Sequence, residues 1–304
     1  MSTNAPTHAG PVLHRGDAHA VIDCAQCGFA HLDPKPTVAA LEEFYRDHFF
    51  EEENPDYLAK TEREIEYWES VVYAKKEAVI TSYLGKPGRI LDIGCCGGFF
   101  LHYFARKGWA VQGVEPGRAA YDWATTKYKL PVVQALFESV PESDLGTFDA
   151  IHFAFVLEHV LEPIAFLEKV RRLLRPGGVV CIESPNDFNQ LQKAAVQALN
   201  KHAWWVAPPD HLNYFSFDSM ERVLQRTGFS VLRRQGTFPM ELFLLMGDDY
   251  IGNDAVGLTS HQKRMRLEQR LQAAGFGDLA DTLYTGFAQA GLGGQVILYG
   301  RRER

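Results

Sequence analysis

From residue 89 to the C-terminus, the apolar positions switch repeatedly between two rhythms. Runs that are apolar at consecutive positions and rich in branched residues, such as "RILDIG" and "GVVCIESP", read as buried strands. Stretches with apolar residues three and four apart, such as "FLHYFARKG" and "PIAFLEKVRRLL", read as helices. The strand readings run "RILDIG", "AVQGVEP", "LPVVQAL", "FDAIHFAF", "GVVCIESP", "SVLRRQGTF" and "GGQVILYGRR". Helix readings such as "RAAYDWATTKY" and "FDSMERVLQRTGF" fall between them, the latter capped by Ser216 or Asp218. Breaker clusters at Gly85-Lys86-Pro87-Gly88 and Arg175-Pro176-Gly177-Gly178 punctuate the series. This alternation predicts an α/β fold: a mostly parallel sheet with helices on both faces.

Upstream the rhythm is looser. "TEREIEYWESVVYAKKEAVITSYL" places Ile65, Trp68, Val72 and Val79 on one helical face. Residues 15–60 read as an irregular lead-in, with "CAQCGFAHLDPKP" followed by a short helix, "TVAALEEFYRDHF", starting at Thr37. Two stretches break the alternation, 186–215 and 238–292, the second with two helices expected. Loops so long need a structural reason, so both read as a lid or substrate cover. The expected organisation is a lead-in over 1–60, a core over 61–237 and 293–304, and a helical insertion over 238–292.

Composition narrows the class. The chain of 304 residues is 46% hydrophobic and 23% charged, as ordinary globular proteins are. A net charge of −7 disfavours a nucleic-acid partner held by bulk electrostatics. No apolar run is long enough for a membrane span, and the first residues lack a signal-peptide pattern, so no membrane partner and a cytoplasmic location are expected. Adjacent Cys95 and Cys96 in a turn suit reduced thiols better than a disulfide framework. Cys24 and Cys27 stand at knuckle spacing with His19 and His31 flanking. One Cys-x-x-Cys supplies only two of the four ligands that zinc wants, and no metal is assigned.

The chemistry concentrates at the end of the first core strand. Asp92-Ile93-Gly94-Cys95-Cys96-Gly97-Gly98 leads into a helix, a turn that exposes backbone N–H groups to a ligand. Glu115 closes the second strand about 20 residues later, where an acid can bind ribose hydroxyls. Together "ILDIGCCGGFF", "GVEPG", "FDAIHFAFVLEHVLEP" and "LRPGGVVCIESPN" resemble the class I S-adenosylmethionine-dependent methyltransferases, including the ubiquinone-type O-methyltransferases. The resemblance covers roughly residues 88–186 and implies a Rossmann-like seven-stranded core. The family turn carries glycine where Cys96 stands. The dinucleotide pattern G-x-G-x-x-G is not met, which favours the methyl donor over NAD.

Carried over position by position, the resemblance implies a donor site. Asp92 would orient the methionine end, Gly94 and Cys96 would pass close to the donor, and Gly98 would complete the turn. Glu115 would hold the ribose, and Leu136 and Phe137 would edge the adenine. The Phe153 carbonyl would face the amino group. Glu158 and His159 belong to the "LEH" beside the reacting methyl. Tyr57 would either close over the donor carboxylate or pack on the following helix. Cys96 is expected to replace glycine with a negative φ, as a contact neighbour and not a nucleophile.

His159 and His211 are the candidate bases, because an unperturbed imidazole titrates near neutrality. His152 and His202 read as structural. Trp204, Trp205, Tyr214 and Phe215 would wall the acceptor pocket or pack the lid, and "MGDDYIGND" would bind a polar acceptor, form a solvated turn, or offer Asp248, Asp249 and Asp254 to a divalent cation. The resulting expectation is methyl transfer to a small-molecule acceptor, a hydroxyl of a sugar or secondary metabolite. The alternatives are another displacement at the sulfonium, such as intramolecular cyclisation, or non-catalytic donor binding. The oligomeric state stays open.

Overall fold

A computed structural model describes residues 8–16, 18–37 and 56–303. The helix expected over "TVAALEEFYRDHF" lies outside them. In chain order the strands are β1 (Val12–Arg15), β2 (Ala20–Cys24), β3 (Phe29–Asp33), β4 (Arg89–Ile93), β5 (Ala110–Val114), β6 (Val132–Val133), β7 (Phe148–Ala154), β8 (Leu174–Pro185), β9 (Asn213–Tyr214), β10 (Phe229–Gly236) and β11 (Gln295–Arg302).

Seven of these make the main sheet, ordered β10-β11-β8-β7-β4-β5-β6. Strands β6, β5, β4, β7 and β8 run parallel, and β11 pairs antiparallel with both β8 and β10. The central strands β4, β7 and β8 are covered on both faces, which is why they read as largely apolar runs. Val179, Val180, Cys181 and Ile182 are all fully buried. Each aliphatic side chain so enclosed contributes roughly 1.5–3 kcal/mol. The chain leaves β4 toward β5 on one side and later returns to β7 on the other. That reversal opens a crevice at the carboxyl ends of β4 and β7, where ligands bind in folds of this kind.

Two upstream expectations need correction. The lead-in is not irregular: β1, β2 and β3 form an antiparallel ribbon, and β9 adds to its edge. Strands of only four or five residues give too short a pattern to mark this in the sequence. The helix before β4 also turns a different face inward. Tyr67, Lys76, Val79 and Ile80 are buried, whereas Ile65, Trp68 and Val72 are only half-buried. The cause is a π-helical stretch, Trp68–Tyr73, which inserts a wider turn and shifts the phase of everything before it. The cap of helix Phe217–Arg226 is Ser216, in a capping box with Ser219, while Asp218 pairs with Arg234.

The stretch after β10 carries helices Glu241–Leu245, Asp254–Ala273 and Gly277–Gln289. They are tied to the core by a buried knot. Glu268 accepts hydrogen bonds from the Tyr67 and Tyr284 hydroxyls, and Arg264 lies against both Glu268 and Tyr67. Among the described residues no helix is long and apolar enough to cross a membrane.

Candidate functional site

The turn after β4 is shaped by its backbone. Gly94 and Cys95 donate their N–H groups to the Val114 carbonyl at 2.8 and 3.2 Å. Gly94 has φ +66°, and a Cβ there would come within 2.7 Å of Val156 Cγ2. Gly98 opens the next helix at φ +76°. Cys96 corrects an expectation: its φ is +49°, in the left-handed region, so it fills the glycine position without escaping the glycine conformation. Its N–H donates to Glu115 Oε2 at 2.8 Å, and Gly117 N–H donates to Glu115 Oε1 at 2.8 Å. Burial pushes the Glu115 carboxyl up to about 7, against the pull of these two bonds. Burial, reinforced by Glu115, holds the Cys96 thiol well above its ordinary range, which suits a neighbour and not a nucleophile.

A buried polar chain supports the turn. Asp92 Oδ1 lies 2.7 Å from His152 Nδ1, and His152 Nε2 lies 3.1 Å from Lys76 Nζ. Lys76 can only donate, so His152 accepts at Nε2 and donates from Nδ1 to Asp92. Lys76 also reaches Glu183 Oε2 at 2.5 Å, and the Phe100 ring stacks on His152 at 3.9 Å. His152 is therefore structural, as expected, but its structural task is to hold Asp92. Burial drives Asp92 upward, with Lys76 opposing, and drives His152 downward. Lys76 and Glu183 gave one signal in the sequence that went unread: a lysine at helical spacing from buried Val79 and Ile80.

Two phenols feel the acidic groups of the turn. Burial pushes Tyr57 upward, aided by the charges of Cys96, Glu183 and Glu115. Burial does the same to Tyr73, aided by Tyr57, Asp92, Cys96 and Glu183. The Tyr57 residue as a whole is 44% exposed. Tyr73 was not foreseen, because the π-helical stretch that aims it is invisible to helical periodicity.

The remaining donor candidates are Leu136, Phe137 and Phe153. Leu136 is half-buried and precedes a single turn, Phe137–Ser139. The Phe137 ring packs into the core against Phe166 at 4.9 Å, leaving its backbone as the part that can edge a ligand. Lys169 Nζ fixes that turn by donating to the Phe137 and Val140 carbonyls at 2.6 Å. Phe153 ends β7 fully buried, its ring 5.3 Å from Phe166.

The other wall follows β7. Glu158 and His159 lie on one helical turn, Leu157–His159. Ser184 Oγ donates to Glu158 Oε2 at 3.1 Å, while buried Glu158 Oε1 has no hydrogen-bond partner among the described residues. His159 Nδ1 lies 2.9 Å from the Asp210 carbonyl and 3.2 Å from Asp210 Oδ1. His211 Nε2 lies 3.8 Å from Asp210 Oδ2, and the two imidazoles meet edge to face at 5.0 Å. Burial works against the His159 imidazolium, but Asp210 and Glu158 outweigh it and the net shift is upward. Burial and His159 push His211 down to about 4. The two candidate bases thus meet, with their affinities for a proton driven apart. Donor atoms of Glu158, His159 and His211 lie within 4.8 Å of one another. Asp210 was missed; the only hint was a carboxylate beside His211.

Other candidates have different work. Asp248 pairs with Lys263 at 2.6 Å and Asp249 with Lys201 at 2.5 Å, and Asn253 caps helix Asp254–Ala273. Two of the three "MGDDYIGND" carboxylates are thus paired with lysines, and the third, Asp254, opens the helix. Tyr214 and Phe215 are core residues, while Trp205 packs on Phe188 at 5.5 Å. Two further buried acids, Asp187 and Glu241, each carry an oxygen without a partner among the described residues. Burial raises both.

The methyltransferase-domain family matches residues 66–234, more than half of the chain. A ubiquinone biosynthesis O-methyltransferase from Rhizobium etli is 28% identical over 157 residues, 49% of this chain and 63% of that protein. Its counterpart from Vibrio cholerae serotype O1 is 32% identical over 153 residues, 49% of this chain and 62% of the relative. The chain therefore spans somewhat less than two thirds of the length of the curated relatives it matches. A magnesium protoporphyrin IX methyltransferase from Synechocystis PCC 6803, solved with bound S-adenosylhomocysteine, shares the fold at TM-score 0.54 and 12% identity, covering 88% of this chain and all of that one. A plantazolicin methyltransferase shares it at TM-score 0.54 and 16% identity, over 87% of this chain and 95% of that one. Sheet order, donor turn and family match agree: the chain belongs to the class I S-adenosylmethionine-dependent methyltransferases.

Proposed function

We propose that the protein moves a methyl group from S-adenosylmethionine to a hydroxyl of a small polar acceptor, of the sugar or secondary-metabolite kind. The observation that carries this reading is the His159–Asp210 pair beside His211, with His159 on the turn that follows β7. A hydroxyl acceptor must lose a proton, and an imidazole held by a carboxylate is suited to take it.

The residues fit a cationic donor. Asp92, Glu115 and Glu183 are buried around one space, and burial raises the first two because no water solvates their charge. A cation there would restore their ionised forms. When bound, S-adenosylmethionine supplies an electrophilic methyl on a sulfonium. Glu115 has lone pairs left, beyond its two backbone bonds, for the ribose hydroxyls. Asp92, fixed by His152, would take the amino-acid end, and Tyr57 would cover it. Gly94, Cys96 and Gly98 set the backbone that lies against the donor, with Leu136 and the Phe137 backbone at the adenine and the Phe153 carbonyl at the amino group.

On the acceptor side, Asp210 holds the His159 ring by Nδ1 so that Nε2 takes the proton. His211, neutral at ordinary pH, orients the acceptor. Buried oxygens of Asp187 and Glu241 that make no hydrogen bond among the described residues favour an acceptor rich in hydroxyl or amino donors. Positioning supplies much of the rate, and the base adds about 10²–10⁴-fold.

The test is a panel of polyhydroxylated, phenolic and amine acceptors with labelled donor, read by S-adenosylhomocysteine release and product mass spectra. An O-methylated product is expected. A product methylated only at nitrogen or carbon, or donor that binds and is never consumed, would sink the hydroxyl reading.

A further inference from the structure

We propose that Cys24, Cys27, His8 and His31 form a structural zinc site at the end of the N-terminal ribbon, and that the metal braces the loop carrying Asp210 and His211. Strand β2 ends at Cys24, and the chain returns to β3 through Cys27 and Gly28. Gly28 donates to the Cys24 carbonyl at 2.8 Å with φ +81°, and Cys27 N–H points at Cys24 Sγ at 3.5 Å. Both cysteines are free thiols. His8 Nδ1 stands 3.6 Å from Cys24 Sγ and 3.4 Å from Cys27 Sγ. A tetrahedral zinc, with bonds of about 2.3 Å to sulfur and about 2.0 Å to nitrogen, sets such pairs roughly 3.5 Å apart.

His31 completes the set from β3. Its Nδ1 lies 2.8 Å from the Leu32 carbonyl, which can only accept, so Nδ1 carries the proton and Nε2 the lone pair. That Nε2 is buried, on a residue 1% exposed, and has no hydrogen-bond partner among the described residues. A buried lone pair with nothing to accept is costly, and an imidazole anchored by a backbone carbonyl is the usual form of a metal ligand. All four donor atoms lie within 4.8 Å of one another. Two thiolates and two neutral imidazoles balance a divalent charge, and this mixed soft and borderline set selects zinc over calcium or magnesium. His19, the flanking histidine expected from the sequence, is not among the four. Its place is taken by His8, further away in the chain but brought back along β2, where Ala9 and Pro11 accept hydrogen bonds from Ala25 and Asp23.

The ribbon is wired to the acceptor wall. In the β3–β9 pairing His31 faces Asn213, and Leu32 N–H donates to the Leu212 carbonyl at 2.8 Å. Leu212 N–H in turn donates to the Glu158 carbonyl at 2.8 Å, and Asn213 Nδ2 to the carbonyls of Leu157 and Val160 at 3.0 and 2.6 Å. From the other side, Arg226 donates to the Gln26 carbonyl at 2.8 Å and Arg222 to that of Gly28 at 3.1 Å. A metal that fixes the ribbon end therefore fixes the edge on which residues 210–214 lie.

The full chain, expressed with zinc supplied and then freed of loose metal, is expected to carry close to one zinc per chain by elemental mass spectrometry. His8 is exposed, so His8→Ala should fold normally and lose zinc affinity by roughly tenfold or more in chelator competition, whereas His19→Ala should not change it. Cobalt exchanged into the site should give tetrahedral visible bands with thiolate charge transfer, and Cys27→Ser should remove the latter. A reduced chain that takes up neither zinc nor cobalt would overturn the site, as would a reversible Cys24–Cys27 disulfide in a chain that never holds metal. For the bracing role, zinc removal should speed hydrogen exchange at the Leu32 and Leu212 amides and leave those of Gly94 and Cys96 unchanged. Equal exchange with and without metal would overturn that role. None of these readouts requires methyl transfer.

Discussion

The two walls of the crevice are built over different distances in sequence. The proposed donor wall is local: Gly94, Cys96 and Glu115 lie on one strand–helix–strand unit, where Gly94 N–H donates to the Val114 carbonyl and Cys96 N–H to the Glu115 carboxylate. The proposed acceptor wall is assembled from afar. Glu158 and His159 follow β7, Asp210 and His211 come from the stretch before β9, Asp187 follows β8, and Glu241 comes from the helical cover. A local unit must repeat in every chain that folds this way and binds this donor, whereas a wall assembled from insertions can vary. The donor wall should therefore govern donor affinity alone, and the acceptor wall turnover alone.

The largest expected effect breaks the acceptor wall. His159→Ala should cut kcat by about 10²–10⁴-fold while leaving S-adenosylhomocysteine affinity within roughly twofold. Stopped turnover together with lost donor binding would mean that the two walls are not separable. Asp210→Asn should cost less, and it should also move the rising limb of the kcat–pH profile. The Asp210 carboxylate helps hold His159 above the ordinary imidazole value. The base form appears only above that value, so activity climbs with pH there, and losing the carboxylate should shift the climb to lower pH. A buried histidine that merely filled space would leave the profile where it was.

The donor wall comes next. Glu115→Ala should weaken donor binding by about 3 kcal/mol, roughly a hundredfold, the worth of two hydrogen bonds to a charged acceptor. Calorimetry with S-adenosylhomocysteine reads this directly. Unchanged affinity would remove Glu115 from the donor site.

The same contrast explains what could be read from the chain beforehand. The sheet, the turn and Glu115 were legible because strand runs and glycines act over a few residues, and backbone geometry fixes what they do. His159 and His211 were legible as types, but not their common partner Asp210, because nothing in a linear pattern says which carboxylate folds between two imidazoles. Tyr73 and the buried face around Lys76 were lost to the π-helical stretch, which breaks the periodicity that would have marked them. His31 was visible as a flanking histidine and His8 was not, since its role depends on a strand pairing across the ribbon.

A smaller effect sharpens the picture of the donor wall through pH. The Glu115 carboxyl is raised to about 7 in the folded protein by burial. Its contribution to the stability of the empty protein is therefore fully present below the unfolded value, near 4.3, and is lost as pH rises through about 7. A cationic donor prefers the ionised carboxylate. Donor affinity should then fall by up to about tenfold per pH unit below 7, with Asp92 acting in the same direction. The donor-induced shift in Tm should accordingly grow from pH 5 to pH 8. A shift that shrinks over that range would mean that the carboxylate does not meet the donor.

The smallest effect lies at Cys96, within the donor wall. A non-glycine residue at φ +49° costs about 1–2 kcal/mol relative to the ordinary helical region. Glycine would remove that cost but would add about 0.5–1 kcal/mol of chain entropy to be lost on folding. Cys96→Gly should therefore stabilise the empty protein by no more than about 1.5 kcal/mol, and Cys96→Val should destabilise it, since a branched side chain tolerates this conformation least. Donor affinity should hardly move in Cys96→Gly, because the contact made there is the N–H donated to Glu115, and glycine keeps it. A large loss of affinity would instead show that the thiol itself touches the donor. In that case the residue that departs from the family pattern would tune the donor wall, and that wall would not be set by backbone geometry alone.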